Sequence, residues 1–399
     1  MAAISYKQAQ TILARLPLRR TTRPGDISAV HGSVLAGVVR AKADSPDFTR
    51  ALMDGFAVRG RDTGAGAVVR VVGFAPAGRV FRGRVEPGTC VRIATGAPLP
   101  RGADAVIKLE DTRSVPGGCV ACLSSVSAGA NRTLRGAYFR AGTVLVEPGT
   151  RLGAAHIALL ASQGVRRVRV YKEPRVGLLA TGDEIVEPGR KKTPGRIWNA
   201  SAPMLLSALS SLGIAPAYLG CVRDEPAQIG RRLRRGLAYD ILIVTGAVSV
   251  GERDFVPGVL KQLGVRTLFH KVRIRPGKPV FLGRRGRCVV FGLPGNAVSS
   301  LTTFHLFVRP VVRRLMGLEG GTLFETGPLA APAENASGRL SFLPGRLKTR
   351  GGRTWIAPLP FCDSSDLRAA AAAQVFYALR ETQIKAAKGT TVPFFRIPR

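Results

Sequence analysis

A chain of 399 residues, 45% of them hydrophobic, can bury large cores, and at roughly 150 residues per domain it divides into two to four domains rather than forming a tail. No apolar run approaches the roughly 18 residues of a membrane span, and six scattered cysteines make no dense disulfide scaffold, so a soluble cytoplasmic protein with reduced thiols is expected. The 60 Lys and Arg against 25 Asp and Glu give a formal charge of +35, a field that attracts anions without naming one.

The opening MAAISYKQAQTILARL reads as a short amphipathic helix. From Met53 to about Leu134 the chain turns Gly- and Val-rich, with short alternating runs such as VVRVVGF and CVRIATG, which predicts a compact β unit inserted between helical segments. Helical periodicity returns at AAHIALLASQG (154–164). From Pro174, short apolar strands (RVGLLATG, APAYLGCV, YDILIVTG) alternate with amphipathic helices (PMLLSALSSLG, AQIGRRLRRGL), the signature of a mostly parallel sheet with crossover helices. Beyond about Gly317, LSFLPGRLKTRGGRTWIAPL predicts a closing β-rich part, with a further short helix over the alanine run at 369–374.

Ligands of such a sheet bind beyond the carboxyl ends of its strands, which directs attention to Asp183, Glu184, Asp224, Ser249 and Asp254. In TGAVSVGERDF (245–255), small residues let backbone N–H groups approach a phosphate, with Asp254 placed for a metal; an ordinary tight strand-to-helix connection would use the same glycines. In ATGDEIVEPG (180–189), the adjacent carboxylates suit Mg²⁺ held jointly with substrate phosphates, or an acidic first turn of a helix. RIRPGKPV (273–280) and FGLPGNAVSS (291–300) are rigid turns whose Arg275 and Lys278 could neutralise a tetrahedral dianion beside a helix start near Val298; a rigid loop with ordinary basic surface is the alternative. Cys119 and Cys122 form one CxxC, but no second pair or nearby His completes a zinc set. Clusters such as Arg231, Arg232, Arg234 and Arg235 could touch nucleic acid, yet no nucleic-acid motif accompanies them, so nucleic acid is not an expected partner.

Taken together, DFTRALMDGFAV (47–58), VRIATGAPLPRGADAVIKLED (91–111), GLLATGDEI (177–185), VRDEP (222–226), TGAVSVGERD (245–254), RPGKP (275–279) and GLPGNAVSS (292–300) resemble, in family order, the molybdopterin molybdenumtransferases of the MoeA and gephyrin E-domain type. The resemblance implies a multi-domain α/β protein with an elongated helical part (1–46 plus 135–172), an inserted β domain (47–134), a central, mostly parallel α/β sandwich of molybdopterin-binding type (173–316) and a C-terminal β domain (317–399). It implies a cytoplasmic homodimer that takes adenylylated molybdopterin and molybdate as substrates and releases AMP, with the molybdopterin adenylyltransferase as a further partner. By the same resemblance Glu184 and Asp254 would hold Mg²⁺, Asp54 of the facing subunit would act on the attacking group, and Asp224 would complete the catalytic set. Thr95, Thr181, Gly182, Ser249, Gly251, Pro294 and Gly295 would contact substrate, and Arg275, Lys278 and Ser365 would serve molybdate. The chain departs from the family's usual motifs at Arg50 (Ser), Tyr138 (acidic), Ala247 (Gly), Ala297 (Pro) and Pro344 (Arg, with Arg346 two residues on), and has Asn199, Ala200 and Ser201 for the usual DSN. These departures motivate the alternative reading, a catalytically weakened relative that binds molybdopterin or acts as a scaffold.

Overall fold

The computed structural model describes residues 2–246, 254–319 and 324–397. The central element is a six-stranded sheet with the order Ala217–Val222, Val176–Thr181, Ile241–Thr245, Cys288–Leu293, Phe281–Arg285 and Arg266–His270. The first four strands are parallel, and the Phe281–Arg285 strand returns antiparallel through a tight hairpin. Val176–Thr181 and Ile241–Thr245 are buried along their whole lengths, as strands covered on both faces must be, which explains their continuous apolar runs. Helix Pro226–Gly236 covers one face through Ile229 and Leu233, while Ser201–Ser210 covers the other through Leu205 and Leu209. The four parallel strands therefore deliver their carboxyl ends, at Thr181, Val222, Thr245 and Leu293, to one edge.

The inserted β part is a second six-stranded sheet with the order Ala105–Lys108, Gly55–Val58, Thr89–Ile93, Val68–Ala75, Cys119–Cys122 and Thr112–Val115. Cys119 and Cys122 lie on a strand, and all six cysteines are free. A C-terminal sheet joins Leu340–Arg350, Val375–Leu379, Thr391–Arg396 and Glu325–Pro328, with Arg353–Pro358 as a hairpin on its longest strand. Its outer edge strand comes from elsewhere in the chain: Ile274 and Arg275 pair in parallel with Leu340 and Ser341.

The part read as helical is instead largely two small antiparallel ribbons, Thr22–Asp26 with Arg167–Tyr171 and Val39–Arg40 with Val144–Val146, plus one helix, Ala154–Ser162. The opening helix Tyr6–Ala14 leaves that unit altogether. Its Ala9 and Leu13 join the core shared by the central and C-terminal sheets, Tyr6 packs edge-on against Phe307, and Arg314 donates to the Leu13 and Leu16 carbonyls at its end. An amphipathic stripe announces that a helix is buried on one side; what it is buried against is a long-range matter. No described helix is long and apolar enough to cross a membrane.

One core residue carries a measurable consequence. His305, in the π-helical turn Phe304–Val308, lies with its ring centroid 5.4 Å from Phe304 and 5.6 Å from Phe395, and neither ring nitrogen has a hydrogen-bond partner among the described residues. Burial, and secondarily the positive charge of Arg309, pushes its pKa down to about 3 from 6.5. The folded state thus holds a neutral imidazole, so this contribution to stability is complete above about pH 6.5 and is lost as the pH falls toward 3. Urea unfolding at roughly pH 5 should give a stability about 2 kcal/mol lower from this group than at neutrality. His305→Phe should remove most of that slope; parallel pH profiles for the two proteins would show that another group carries it.

Candidate active site

The parallel strand ends build one cavity of about 510 Å³. Glu184 enters it from the loop after Val176–Thr181, and Asp254 from the start of helix Phe255–Gln262. Arg275 and Lys278 of the Pro-Gly turn, Pro294 and Gly295 of the next strand end, Arg339 and Asp363 line the same cavity. The lining therefore combines three carboxylates with three cations, a composition that can hold a polyanion whose charge is shared with a divalent cation.

Local chemistry explains how the loops come so close. Gly246 has φ +85°, and a Cβ there would stand 2.2 Å from the Thr181 carbonyl oxygen, so only glycine lets these two strand ends touch. The Thr181 hydroxyl donates to the Thr245 carbonyl at 3.2 Å, tying the same pair together. Gly182 has φ +146°, and a Cβ there would press on Glu184 and Ile185. Ser201 donates to the Gly295 carbonyl, Ser300 to that of Pro294, and Asn296 to the Ser364 hydroxyl, which fixes the turn 294–296 from three directions.

Asp224 lines neither cavity, but its carboxyl feels the charges of Glu184 and Asp254. Its backbone N–H donates to Asp183 Oδ1 at 3.2 Å, while its own Oδ1 is buried without a partner among the described residues. Burial raises its pKa, and the charges of Asp183, Glu184 and Asp254 raise it further. An uncompensated carboxylate among three others is a site short of positive charge. No group of three His, Cys, Asp or Glu side chains among the described residues forms a preassembled metal cage. Two cavity-facing carboxylates with an underpaired third fit Mg²⁺, which takes one or two protein carboxylates and completes its shell with water and substrate phosphate.

The remaining expected site residues divide into three groups. Thr181 and Ser365 line a second cavity that adjoins the first, and Ser249 and Gly251 lie outside the described residues. Asp54 and Thr95 line neither cavity of their own chain, but they meet each other on the inserted sheet. Asp54 Oδ1 accepts from the Thr95 N–H at 2.6 Å and from its hydroxyl at 2.8 Å, and these bonds hold the Asp54 carboxyl below its usual pKa.

Residues 4–164 match the MoeA N-terminal region (domain I and II), 177–314 a probable molybdopterin binding domain, and 326–396 the MoeA C-terminal region (domain IV). A molybdopterin molybdenumtransferase of Synechococcus elongatus is 33% identical over 371 residues, covering 89% of this chain and 90% of its own. The chain belongs to the MoeA family of molybdopterin molybdenumtransferases. A second family member of that name, from a Nostoc species, is 35% identical over 319 residues, covering 78% of this chain and 73% of its own. The crystal structure of the MoeA molybdopterin biosynthesis protein of Pyrococcus horikoshii superposes over 100% of both chains with a TM-score of 0.87 at 28% identity. The multi-domain α/β fold with its C-terminal β domain is thus the family's.

The site also holds residues that motif reading passed over. Arg339 reaches the cavity because Ile274 and Arg275 extend the C-terminal sheet: its guanidinium donates to the Ile274 carbonyl at 3.3 Å, and buried Asn335 holds the Arg339 carbonyl at 2.8 Å. Asn296, Asp363 and Ser364 line the same cavity. Pro344, where the family's usual motif has Arg, lies buried within the long C-terminal strand.

Proposed function

We propose that this chain inserts molybdenum from molybdate into adenylylated molybdopterin and releases AMP, a step of molybdenum cofactor biosynthesis. The observation that carries the reading is the single cavity lined both by Glu184 and Asp254 and by Arg275, Lys278 and Arg339. A phosphoanhydride and a tetrahedral dianion bring negative charge to one place, and the reaction needs both to be held while the P–O–P bridge opens. Arg275, Lys278 and Arg339 supply fixed positive charge for molybdate, and Ser365 lines the adjoining cavity as a hydroxyl donor. Thr181, Gly182, Pro294 and Gly295 shape the rim along which the phosphates run, with Ser249 and Gly251 assigned to the same task by motif alone. Mg²⁺ between Glu184 and Asp254 would supply charge neutralisation at the leaving phosphate. Asp224, its pKa raised, is the group whose proton competes with that cation. The weakened-relative reading is not favoured, since Glu184, Asp254, Arg275, Lys278, Pro294, Gly295 and Arg339 line one cavity and the adjoining one is lined by Thr181 and Ser365.

Asp54 and Thr95 serve the cavity of a second copy in this reading, so the working unit is a homodimer. Exposed Leu52 and Met53 adjoin Asp54, and exposed Tyr138 accepts a hydrogen bond from Arg50 on the same segment, an apolar surface suited to a partner. The division into 1–46 plus 135–172, 47–134, 173–316 and 317–399 then puts the two halves of each site on different domains of different chains. Six free cysteines fit a reducing cytoplasm, and the adenylyltransferase that makes the substrate is the natural donor.

Complementation tests both claims. Asp54→Asn and Asp254→Ala proteins should each be inactive in AMP release with Mg²⁺, molybdate and adenylylated molybdopterin. Co-expressed, they should recover about a quarter of the wild-type rate, because half the dimers are mixed and each of those has one intact site. No recovery from a verified mixed dimer would place Asp54 outside the site of the facing chain.

A further inference from the structure

The edge of the central sheet opposite the active cavity carries a small pocket of its own, about 30 Å³. Pro174, Asp240 and Arg287 line it, each just ahead of one of the parallel strands Val176–Thr181, Ile241–Thr245 and Cys288–Leu293. Strands of five and six residues, at about 3.3 Å per residue, put this edge roughly 17–20 Å from the carboxyl ends. The other walls come from distant segments: Arg19 and Thr21 follow the opening helix, Lys172 follows the ribbon strand Arg167–Tyr171, and Leu315 ends helix Arg309–Leu315. The pocket therefore sits where the opening segment, the ribbon unit and the central sheet join.

Its backbone is fixed on both sides. The Asp240 N–H donates to the Arg175 carbonyl at 2.9 Å, and the Asp240 carbonyl accepts from the Val289 N–H at 3.0 Å. Asp240 Oδ2 accepts from the Arg175 N–H at 2.9 Å. On the ribbon side the Lys172 N–H donates to the Thr21 carbonyl at 2.8 Å, which extends the ladder of Thr22–Asp26 with Arg167–Tyr171 by one rung.

The charges, by contrast, do not balance. Asp240 is the one acidic residue of the lining, against Arg19, Lys172 and Arg287. Its carboxylate already lies 3.7 Å from Arg287 Nε and 3.9 Å from Arg175 Nε, and the neighbouring Glu173 is 3.5 Å from Arg23. Arg19 and Lys172 are left with no carboxylate partner among the described residues. Arg314, next to Leu315, has its pKa lowered by burial and then by the charge of Arg20, a second sign of excess positive charge at this junction. A pocket too small for a base or a pterin, with two positive charges in excess and a threonine on its wall, fits one tetrahedral dianion.

We propose that this pocket binds a single tetrahedral oxyanion group, free or terminal on a phosphate monoester, among Arg19, Lys172 and Arg287. The bound anion clamps the ribbon unit to the central sheet. This goes beyond the functional reading above and does not rest on it, since the pocket shares no residue with the active cavity.

Equilibrium dialysis of the full chain against radiolabelled orthophosphate counts the bound equivalents. Arg19→Gln combined with Lys172→Gln, two exposed positions, should bind one equivalent fewer than the parent or hold it about tenfold or more weakly. Its molybdate half-saturation for AMP release should not move. Arg231→Gln combined with Arg232→Gln removes the same charge from the exposed face of helix Pro226–Gly236 and should keep that equivalent. Thr21→Val keeps every charge and should weaken the same equivalent severalfold. Competition by sulfate, molybdate and ribose 5-phosphate then separates the sources: the strongest competitor identifies the free ion or the monoester. Hydrogen exchange in the segment around Lys172 should slow with phosphate in the parent and not in the Arg19, Lys172 double variant. If that variant binds as the parent does, or if the helix control loses as much, the site is overturned and the excess charge is only a diffuse field. Loss of the equivalent with unchanged exchange would overturn the clamp.

Discussion

An Asp254→Ala protein is expected to release AMP about a thousandfold more slowly than the parent while staying folded. Asp254 stands at the start of helix Phe255–Gln262 and lines the cavity with Glu184, so its loss leaves one carboxylate where the proposed cation needs two. Charge neutralisation at a leaving phosphate contributes several kcal/mol, and about 4 kcal/mol corresponds to three orders of magnitude in rate. The defect should be in turnover rather than in molybdate affinity, because Arg275, Lys278 and Arg339 are untouched. Raising Mg²⁺ should restore little. Unchanged release would mean that the metal, if the reaction uses one, is held elsewhere. The pH dependence gives a second handle. Since the Asp224 pKa is raised, it takes a proton at a higher pH than an ordinary carboxyl, and AMP release should decline on the acid side with a growing Mg²⁺ requirement. Asp224→Asn should remove that growth.

The central sheet and its business edge are legible in the chain because their physics is local. Strands buried on both faces must be continuously apolar, and where two of their ends touch, Gly246 is the only residue whose backbone and absent side chain fit against Thr181. The Pro-Gly turn with Arg275 and Lys278 is likewise readable as a rigid cationic loop. Arg339 is not. Nothing in GRLSFLP marks its Arg as a site residue, and it becomes one only because Ile274, 65 positions earlier, adds an edge strand to the C-terminal sheet. The same limit hid the destination of the opening helix: its stripe is local, but the Phe307 and Phe342 rings that receive Tyr6 come from distant segments.

Arg339 also gives the sharpest separation between binding and chemistry. Replacing it by Ala should raise the molybdate concentration for half-maximal AMP release by about tenfold or more, the loss expected for one charge-assisted contact to an oxyanion. At saturating molybdate the rate should return close to that of the parent, because Glu184 and Asp254 are intact. Arg339→Lys should recover part of the effect: the charge remains, but the flat guanidinium that also bonds the Ile274 carbonyl is gone. A fall in the saturated rate with unchanged half-saturation would assign Arg339 to the phosphates instead of molybdate. That outcome would move the dianion site toward Arg275 and Lys278. An Arg339→Ala protein indistinguishable from the parent would mean that the C-terminal sheet shapes the cavity without supplying charge to it.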